Sequence, residues 1–329
     1  MTMTTAPTRV ADRQQHDENK RRLSELPWPE LASTLGLVGL AIVFAIANPG
    51  YLSEGNVSAI LQAAAILIIL TIGQTFVVAT GGIDLSVAAT MTLGAVVLGE
   101  FYAQGWNIWL AALAGCGAAL VVGLINGLII SKGGITDFIV TLGTLSAASG
   151  LALIIADGQK TTIIEPALIK LSVNGIGIFS WTVIIALGIA VVAHVVLFHT
   201  AFGVHVLAIG GSAESSRSLG IKVWMVKTGV YVISAGLAGV GALLLVARVG
   251  AAEPAANTSF LLNSVAAVVL GGVSLFGGRA TIFAPVMGAL LLTALVNGLT
   301  RMGFSEFYQP LTVGVVVVLA AFLTRFNRS

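Results

Sequence analysis

Two carboxylates in this sequence lie in short polar stretches that apolar residues flank on both sides. Asp84 lies in TGGIDLS (residues 80–86), and Glu214 lies in AIGGSAESSRSLGI (208–221). Carboxylates act as general acids or bases, or hold metal ions, when other titratable or ligating groups lie near them. Here the four histidines are scattered and Cys116 is alone in an apolar run. The sequence therefore predicts no catalytic residue, no cofactor and no metal site.

Composition indicates that these stretches belong to a membrane protein. The 329 residues are 57% hydrophobic and 9% charged, whereas about a quarter of the residues of a soluble domain are charged. Apolar runs of about 20 residues recur along the chain, and each is long enough to cross a bilayer as a helix. The net charge is only +2, so no nucleic-acid partner is predicted. We predict an all-α, polytopic protein whose surroundings are the lipid bilayer.

The apolar runs predict about ten transmembrane helices in a single transmembrane domain, residues 31–329. Residues 1–30 are polar and are predicted to form a disordered cytosolic tail. Residues 137–156 are rich in glycine, serine and threonine, which leaves a re-entrant segment as the alternative there. The ten predicted spans are 31–48, 57–80, 85–101, 107–131, 137–156, 181–199, 226–248, 262–276, 280–299 and 307–325.

Lysine and arginine set the predicted orientation, because cytosolic loops are enriched in them. With the N-terminus inside, twelve of the 16 lie in cytosolic segments and four lie in outer segments. Both termini are therefore predicted to be cytoplasmic. Residues 200–225 become the longest cytosolic loop.

Asp84 has two compatible interpretations. Gly81 and Gly82 end one helix and Asp84 starts the next, so its carboxylate accepts from an amide of the first turn, such as that of Ser86. Alternatively Asp84 faces a pathway or its gate, because a carboxylate at membrane depth costs about 3 kcal/mol. The second glycine-rich break, LGGVSLFGG (270–278), is predicted to be either a hinge or a site of tight helix packing.

The stretch around Glu214 predicts a short helix inside the long cytosolic loop. Ser212 suits the N-cap, Glu214 lies in the first turn where the helix dipole favours an anion, and Gly220 suits the position after the C-terminus. An isolated helix of about seven residues is unstable in water, so something must hold it. We expect a docked partner protein. The alternative is a helix lying on lipid headgroups, for which residues 212–218 offer no large apolar face.

The same stretch resembles the cytoplasmic coupling segment, or EAA-type loop, of the permeases of ATP-binding-cassette importers. Glu214, Ser215, Ser216 and Gly220 match its E-A-A-x-x-x-G pattern, with serines in place of the two alanines. Three more blocks resemble the ribose, arabinose and xylose type of sugar permease. They are GGIDLSVAATMTLGA (81–95), NGLIISKGGITDFIVTLGTLSAASGLA (126–152) and VLGGVSLFGGRATIFAPVMGALLL (269–292).

This resemblance implies a permease subunit in the bacterial inner membrane that carries a sugar or related neutral polar solute into the cytoplasm. The sequence has no G-x-x-x-x-G-K-[ST] motif, so ATP hydrolysis is expected on a separate ATPase subunit. Other implied partners are a periplasmic or lipid-anchored substrate-binding protein and a second permease copy or paralogue. The residues expected to couple to the ATPase are Gly211, Ser212, Glu214, Ser215, Ser216, Arg217 and Gly220.

Two segments of the sequence resemble each other although they run in opposite predicted directions. NGLIISKGGITDF (126–138) matches NGLTRMGFSEF (297–307) once a two-residue length difference is allowed, which pairs Asn126 with Asn297. This pattern indicates an inverted-topology repeat that relates spans 2–5 to spans 7–10, as in vitamin-B12-type importer permeases. The alternative is that Asn-Gly followed by a small capping residue is a common way to end a helix.

Polar residues in or beside the predicted spans mark a candidate pathway, and for each the alternative is an interhelical hydrogen bond. Two other functional classes, a secondary transporter and a membrane enzyme, fit the sequence less well than an ATP-driven permease. A secondary transporter needs an ionisable relay in mid-span, and a membrane enzyme needs clustered histidines or carboxylates; the sequence has neither. The candidates for the gate and pathway are Gly81, Gly82, Asp84, Ser86, Gln74, Asn126 and Asn297.

Overall fold

The computed structural model describes residues 28–255 and 258–326, and within these ranges the chain is predominantly helical. Most of the predicted tail, residues 1–27, lies outside the described residues. The helices are α1 (Trp28–Ala47), α2 (Glu54–Ala79), α3 (Val87–Ala103), α4 (Ile108–Gly133), α5 (Asp137–Ile155), α6 (Pro166–Val173), α7 (Trp181–His199), α8 (Ala201–Gly211), α9 (Ala213–Ser218), α10 (Val223–Val249), α11 (Thr258–Leu270), α12 (Phe283–Arg301) and α13 (Tyr308–Phe326).

Four two-residue strands accompany these helices in the described part of the chain. They are β1 (Thr161–Thr162), β2 (Gly175–Ile176), β3 (Phe179–Ser180) and β4 (Ala251–Ala252). β1 pairs with β4 and β2 pairs with β3, both antiparallel. Because each ladder is so short, the fold is set by helix packing.

Within the described residues, six helices are long and apolar enough to cross a bilayer: α2, α4, α5, α7, α10 and α12. Among them is α5, a continuous helix of 19 residues with a mean hydropathy of 2.1, so its glycines and hydroxyl residues do not interrupt it. The described parts of α1, α3, α11 and α13 include shorter apolar segments of 10–17 residues. The prediction of a polytopic helical membrane protein is thereby confirmed.

The helices α2 and α10 form the centre of the bundle. Their most apolar segments are 78% and 61% buried, against 22–33% for α4, α5 and α7. α10 packs against α2, α3 and α4, while α12 packs against α1 and α2. The outer helices expose large apolar side chains, such as Leu113 of α4 and Val191 of α7, which suits contact with lipid.

Several element boundaries differ from the prediction. Residues 201–211, predicted as part of a loop, form helix α8, which Thr200 caps by accepting from the Gly203 amide at 3.3 Å. The predicted span 262–276 ends earlier, because α11 stops at Leu270 and the chain turns at Gly271 and Gly272. The following helix, α12, begins at Phe283 instead of residue 280.

Candidate functional site

Asp84 lies buried between the end of α2 and the start of α3. Its Oδ1 accepts from the Ser86 amide at 2.9 Å and from the Ser86 hydroxyl at 2.6 Å. The expected amide hydrogen bond is present, but α3 begins at Val87 with Ser86 as its N-cap residue, so Asp84 holds the turn before the helix and is not the cap itself. Its Oδ2 accepts from the hydroxyl of Ser234, on α10, at 2.9 Å. A carboxylate removed from water is tolerated only when hydrogen bonds satisfy it, and here both oxygens are satisfied.

Gln74 is one of the predicted pathway residues, and its side-chain amide holds the backbone of Asp84 in place. With its amide oriented to pair donor with acceptor, its nitrogen donates to the Asp84 carbonyl at 3.2 Å and its oxygen accepts from the Asp84 amide at 3.3 Å. Gln74 is fully buried on α2. The turn between α2 and α3 is therefore fixed through its main chain as well as through its carboxylate.

Asn126 extends these contacts to two further helices. Its Nδ2 donates to the Ser86 hydroxyl at 2.9 Å, and its Oδ1 accepts from the hydroxyl of Thr144, on α5, at 2.6 Å. We call Gln74, Asp84, Ser86, Asn126, Thr144 and Ser234 the Asp84 network. It connects α2, α3, α4, α5 and α10 in one continuous set of hydrogen bonds.

Asn297 lies in a second group of polar residues. Asn56 and Asn297 exchange amide hydrogen bonds at 3.1 and 3.2 Å, and Arg301 Nη1 donates to Asn56 Oδ1 at 3.3 Å. Asn48 Nδ2 donates to the Arg301 carbonyl at 3.4 Å. We call these four residues the Asn297 cluster. It forms where the start of α2 meets the end of α12.

Tyr51 packs beside the Asn297 cluster. Its backbone carbonyl accepts from Asn56 Nδ2 at 2.7 Å, and its hydroxyl donates to the carbonyl of Ala294 at 2.8 Å. Burial raises the pKa of the Tyr51 hydroxyl above its ordinary value. The hydroxyl therefore stays a hydrogen-bond donor at neutral pH.

The two groups lie at opposite ends of α2. Asn56 and Gln74 are 18 residues apart on this helix, about 27 Å at 1.5 Å per residue. The predicted gate and pathway residues therefore do not form one site. Gln74, Asp84, Ser86 and Asn126 are brought together, whereas Asn297 lies with Asn56 and Arg301 at the other end.

The short polar helix predicted around Glu214 is α9, Ala213–Ser218. Ser212 is its N-cap and accepts from the Ser215 amide at 3.1 Å, and Gly220 has the positive φ (+83°) of the residue after a helix. Ser216 faces inward and is buried, while Glu214, Ser215 and Arg217 are exposed. One side of α9 is thus anchored to the bundle, and the other side is open to a partner.

Three glycine-rich stretches meet near the start of α9. Their meeting was not predicted from the sequence. A side chain at Gly210 would collide with the Ala79 carbonyl and the Gly278 amide. At Gly277, where φ is +82°, a Cβ would lie 2.7 Å from the Gly81 nitrogen and 2.8 Å from Gly210 Cα. The Gly278 amide donates to the Ala79 carbonyl at 3.0 Å.

We call Gly81, Gly210 and Gly277 the glycine junction. It joins the end of α2, the end of α8 and the 271–282 turn by backbone contacts. Gly81 lies three residues from Asp84, and Gly210 lies three residues before the first residue of α9. The junction therefore lies within three residues of both α9 and Asp84 along the chain.

Sequence comparison identifies the class of protein to which this arrangement belongs. A family model described as "Branched-chain amino acid transport system / permease component" matches residues 56–322. The chain belongs to this permease family. The match includes α9, the glycine junction, the Asp84 network and three of the four residues of the Asn297 cluster.

Curated relatives extend along nearly the whole permease. It is 36% identical over 320 residues to the ribose import permease protein RbsC of Bacillus subtilis (strain 168), covering 94% of this chain and 96% of that protein. It is 30% identical over 305 residues to the D-allose transport system permease protein AlsC of Escherichia coli (strain K12), covering 91% and 92%. It is 30% identical over 307 residues to the L-arabinose ABC transporter permease protein AraH of Azospirillum brasilense, covering 91% and 90%.

These relatives confirm the resemblance drawn from the coupling segment. The chain is a membrane-embedded permease subunit of the ATP-binding-cassette importer type, and the relatives favour this over a secondary transporter. Ser234 and Thr144 were not predicted from the sequence, because each lies in a membrane-spanning segment and meets its partner only in the folded chain. In the sequence, the one feature that marks these two residues is a hydroxyl side chain within a long apolar run.

Proposed function

We propose that this permease imports a sugar of the pentose or hexose class, driven by ATP hydrolysis on a separate ATPase subunit. The observation that carries the proposal is identity of 30–36% along at least 90% of the chain with permeases whose names specify ribose, allose and arabinose. A neutral substrate also agrees with the state of Asp84, whose carboxylate is already satisfied by Ser86 and Ser234. A substrate-binding protein and a second permease copy or paralogue complete the proposed importer.

We further propose ten transmembrane helices with both termini in the cytoplasm of a bacterial cell. The ten are α1–α5, α7 and α10–α13, which alternate in direction if each crosses the membrane once. In this orientation α9 and the glycine junction lie on the cytosolic side, and the Asn297 cluster lies on the outer side. The 12-to-4 distribution of lysine and arginine supports this arrangement.

An inverted repeat of the vitamin-B12-importer type is part of the same proposal. The repeat pairs α2 with α10 and α4 with α12, so a contact between α4 and α10 has its counterpart between α12 and α2. Both contacts exist: Gly127 packs on Thr228 near the start of α10, and Asn297 bonds Asn56 near the start of α2. These two contacts support the proposed pairing of the sequence segments.

In the proposed mechanism α9 is the surface on which the ATPase docks. Its exposed Glu214, Ser215 and Arg217 provide a charged, hydrogen-bonding face for the partner. The capped ends at Ser212 and Gly220 hold the short helix in shape without a long helical context. Motion of α9 then reaches the Asp84 network, the proposed gate, through the glycine junction.

Two substitutions in α9 and its C-terminal turn test the proposal. Glu214→Lys reverses a charge beside the positive end of the helix, and Gly220→Val forces a branched residue into positive φ. We expect each variant to insert normally and to lose about fivefold in ATPase recovery, equivalent to about 1 kcal/mol. ATP-driven sugar uptake should fall in parallel. Both are measured on full-length permease co-expressed with its ATPase.

Gly158→Val is the matched control, since Gly158 also has positive φ (+66°) with no atom within 4 Å of an added Cβ, but lies far from α9 in sequence. It should leave ATPase recovery unchanged. A cysteine at Ser215 should react with an impermeant reagent only from the cytosolic side. Full uptake and full ATPase recovery in both α9 variants would show that α9 is not the coupling helix.

A further inference from the structure

An open cavity of about 460 Å³ lies beside α9, and its lining includes Arg217 but neither Glu214 nor Ser215. It is bordered by the end of α4, the end of α9 and the start of α10. Three of its residues are cationic, and none is a carboxylate. The lining residues are Ser131, Lys132, Arg217, Gly220, Ile221, Lys222, Val223 and Trp224.

The three cations come from three different segments and share one space. Lys132 belongs to α4, Arg217 to α9, and Lys222 immediately precedes α10. Lys132 Nζ lies 4.1 Å from the centre of the Trp224 ring, a cation–π contact that holds the ammonium at the cavity wall. Like charges gathered in this way repel one another unless an anion lies among them. The start of α10 adds the positive end of a 27-residue helix.

The position of the cavity along the helices favours a lipid as the source of that anion. α4 ends and α10 begins at this cavity, and both are apolar helices long enough to cross the bilayer. The cavity therefore lies at the depth of the headgroups, where tryptophan and lysine are enriched. Met225, next to Trp224, is 50% exposed and offers an apolar surface for an acyl chain.

We propose that this cavity binds the phosphate of an anionic phospholipid such as phosphatidylglycerol, through Lys132, Arg217 and Lys222. The assignment to the cytoplasmic leaflet rests on the orientation proposed above, and that leaflet carries the negative surface potential that attracts such clusters. A bound headgroup would connect α9 to α4 and α10. The docking helix of the permease would thereby be held in place by the surrounding lipid.

Lipid-dependent thermal stability of the purified full-length permease tests this proposal without sugar, ATP or ATPase. In neutral-detergent micelles, phosphatidylglycerol should raise the unfolding midpoint, and phosphatidylcholine should not. Each of K132Q, R217Q and K222Q should weaken the apparent affinity for phosphatidylglycerol about fivefold, equivalent to about 1 kcal/mol, and the triple variant on the order of 100-fold. All three side chains are exposed, so the variants should fold.

Lys227→Gln is the matched control, because Lys227 lies on α10 but outside the cavity lining; it should retain the wild-type response. Three outcomes would overturn the proposal. One is an unchanged phosphatidylglycerol response in the triple variant. Another is equal stabilisation by inorganic phosphate, which would make the ligand a soluble anion. The third is a K132Q/K222Q double variant, which leaves Arg217 in place for the ATPase, that responds normally to phosphatidylglycerol yet loses ATPase recovery; this would assign the cavity to the partner protein.

Discussion

Asn126 and Asn297 begin the same Asn-Gly-Leu triplet, yet their surroundings differ. Asn126 is buried and bonds Ser86 and Thr144 from two other helices at 2.9 and 2.6 Å. Asn297 is half-buried, and its amide pairs with that of Asn56 at 3.1 and 3.2 Å. The same residue type thus belongs to a network centred on the Asp84 carboxylate at one end of α2 and to a more exposed cluster at the other end.

This difference indicates which end of the bundle is harder to separate. The Asp84 network joins five helices through buried groups, so separating them would leave polar atoms without partners. The Asn297 cluster joins α12 to the start of α2 and includes the exposed Arg301, whose contacts water can replace. Under the proposed orientation, the cytosolic end is closed by hydrogen bonds and the outer end needs less free energy to open.

The largest expected effect comes from removing the carboxylate at the centre of the closed end. Asp84→Ala leaves the Ser86 amide and the hydroxyls of Ser86 and Ser234 without their acceptor, at roughly 1 kcal/mol each. We expect the free energy of unfolding in mixed micelles to fall by about 3 kcal/mol. Asp137→Ala is the control, since among the described residues the Asp137 carboxylate accepts a single long hydrogen bond, at 3.4 Å from the Tyr231 hydroxyl, and the substitution leaves the backbone carbonyl that accepts from Thr141. Equal losses in the two variants would mean that Asp84 does not organise this end.

A direct comparison of the two asparagines should give an intermediate effect. Asn126→Leu leaves two short hydrogen bonds unmade, one buried and one part-buried, whereas Asn297→Leu leaves Asn56 free to bond Arg301. We expect losses in the free energy of unfolding of about 2 and about 1 kcal/mol, respectively. Chemical denaturation of both variants in one detergent measures the difference. A larger loss at Asn297 would reverse the ranking of the two ends.

The smallest effect is expected at the exposed edge of the outer cluster. Arg301→Gln removes a 3.3 Å hydrogen bond to Asn56 but leaves the backbone carbonyl that accepts from Asn48. Since Arg301 is exposed, the free energy of unfolding should change by less than about 0.5 kcal/mol. The same denaturation measurement applies. A loss above that of Asn297→Leu would show that the guanidinium holds the cluster together.

Local features of this permease could be predicted from the sequence because they depend on neighbouring residues. The hydrogen bond from the Ser86 amide to Asp84 and the cap of Ser212 on α9 each span two or three residues. The positive φ at Gly220 follows from its place after a short helix. The long apolar helices follow from composition alone, since a bilayer requires satisfied backbone hydrogen bonds.

Features that depend on distant residues could not be predicted. Ser234 bonds Asp84 across 150 positions of sequence, and nothing in the apolar run around it marks that residue. Helix α8 is apolar but only 11 residues long, so hydropathy did not separate it from a loop. The glycine-rich stretches at 81, 210 and 277 are visible singly, but their meeting depends on how α2, α8 and the 271–282 turn pack.

The glycine junction has a mechanical consequence. Contacts between side chains yield under load, because rotamers change at little cost. At the junction Gly277 faces the backbone of Gly81 and Gly210 directly, with no side chain between them. The junction can therefore deform only as far as the main chain allows, and distorting backbone bond angles or peptide planes costs free energy that rises steeply with the distortion. If α9 is the docking helix, as proposed, a small displacement of α9 would reach the end of α2 through main-chain contacts, and a short stroke would suffice to drive the permease.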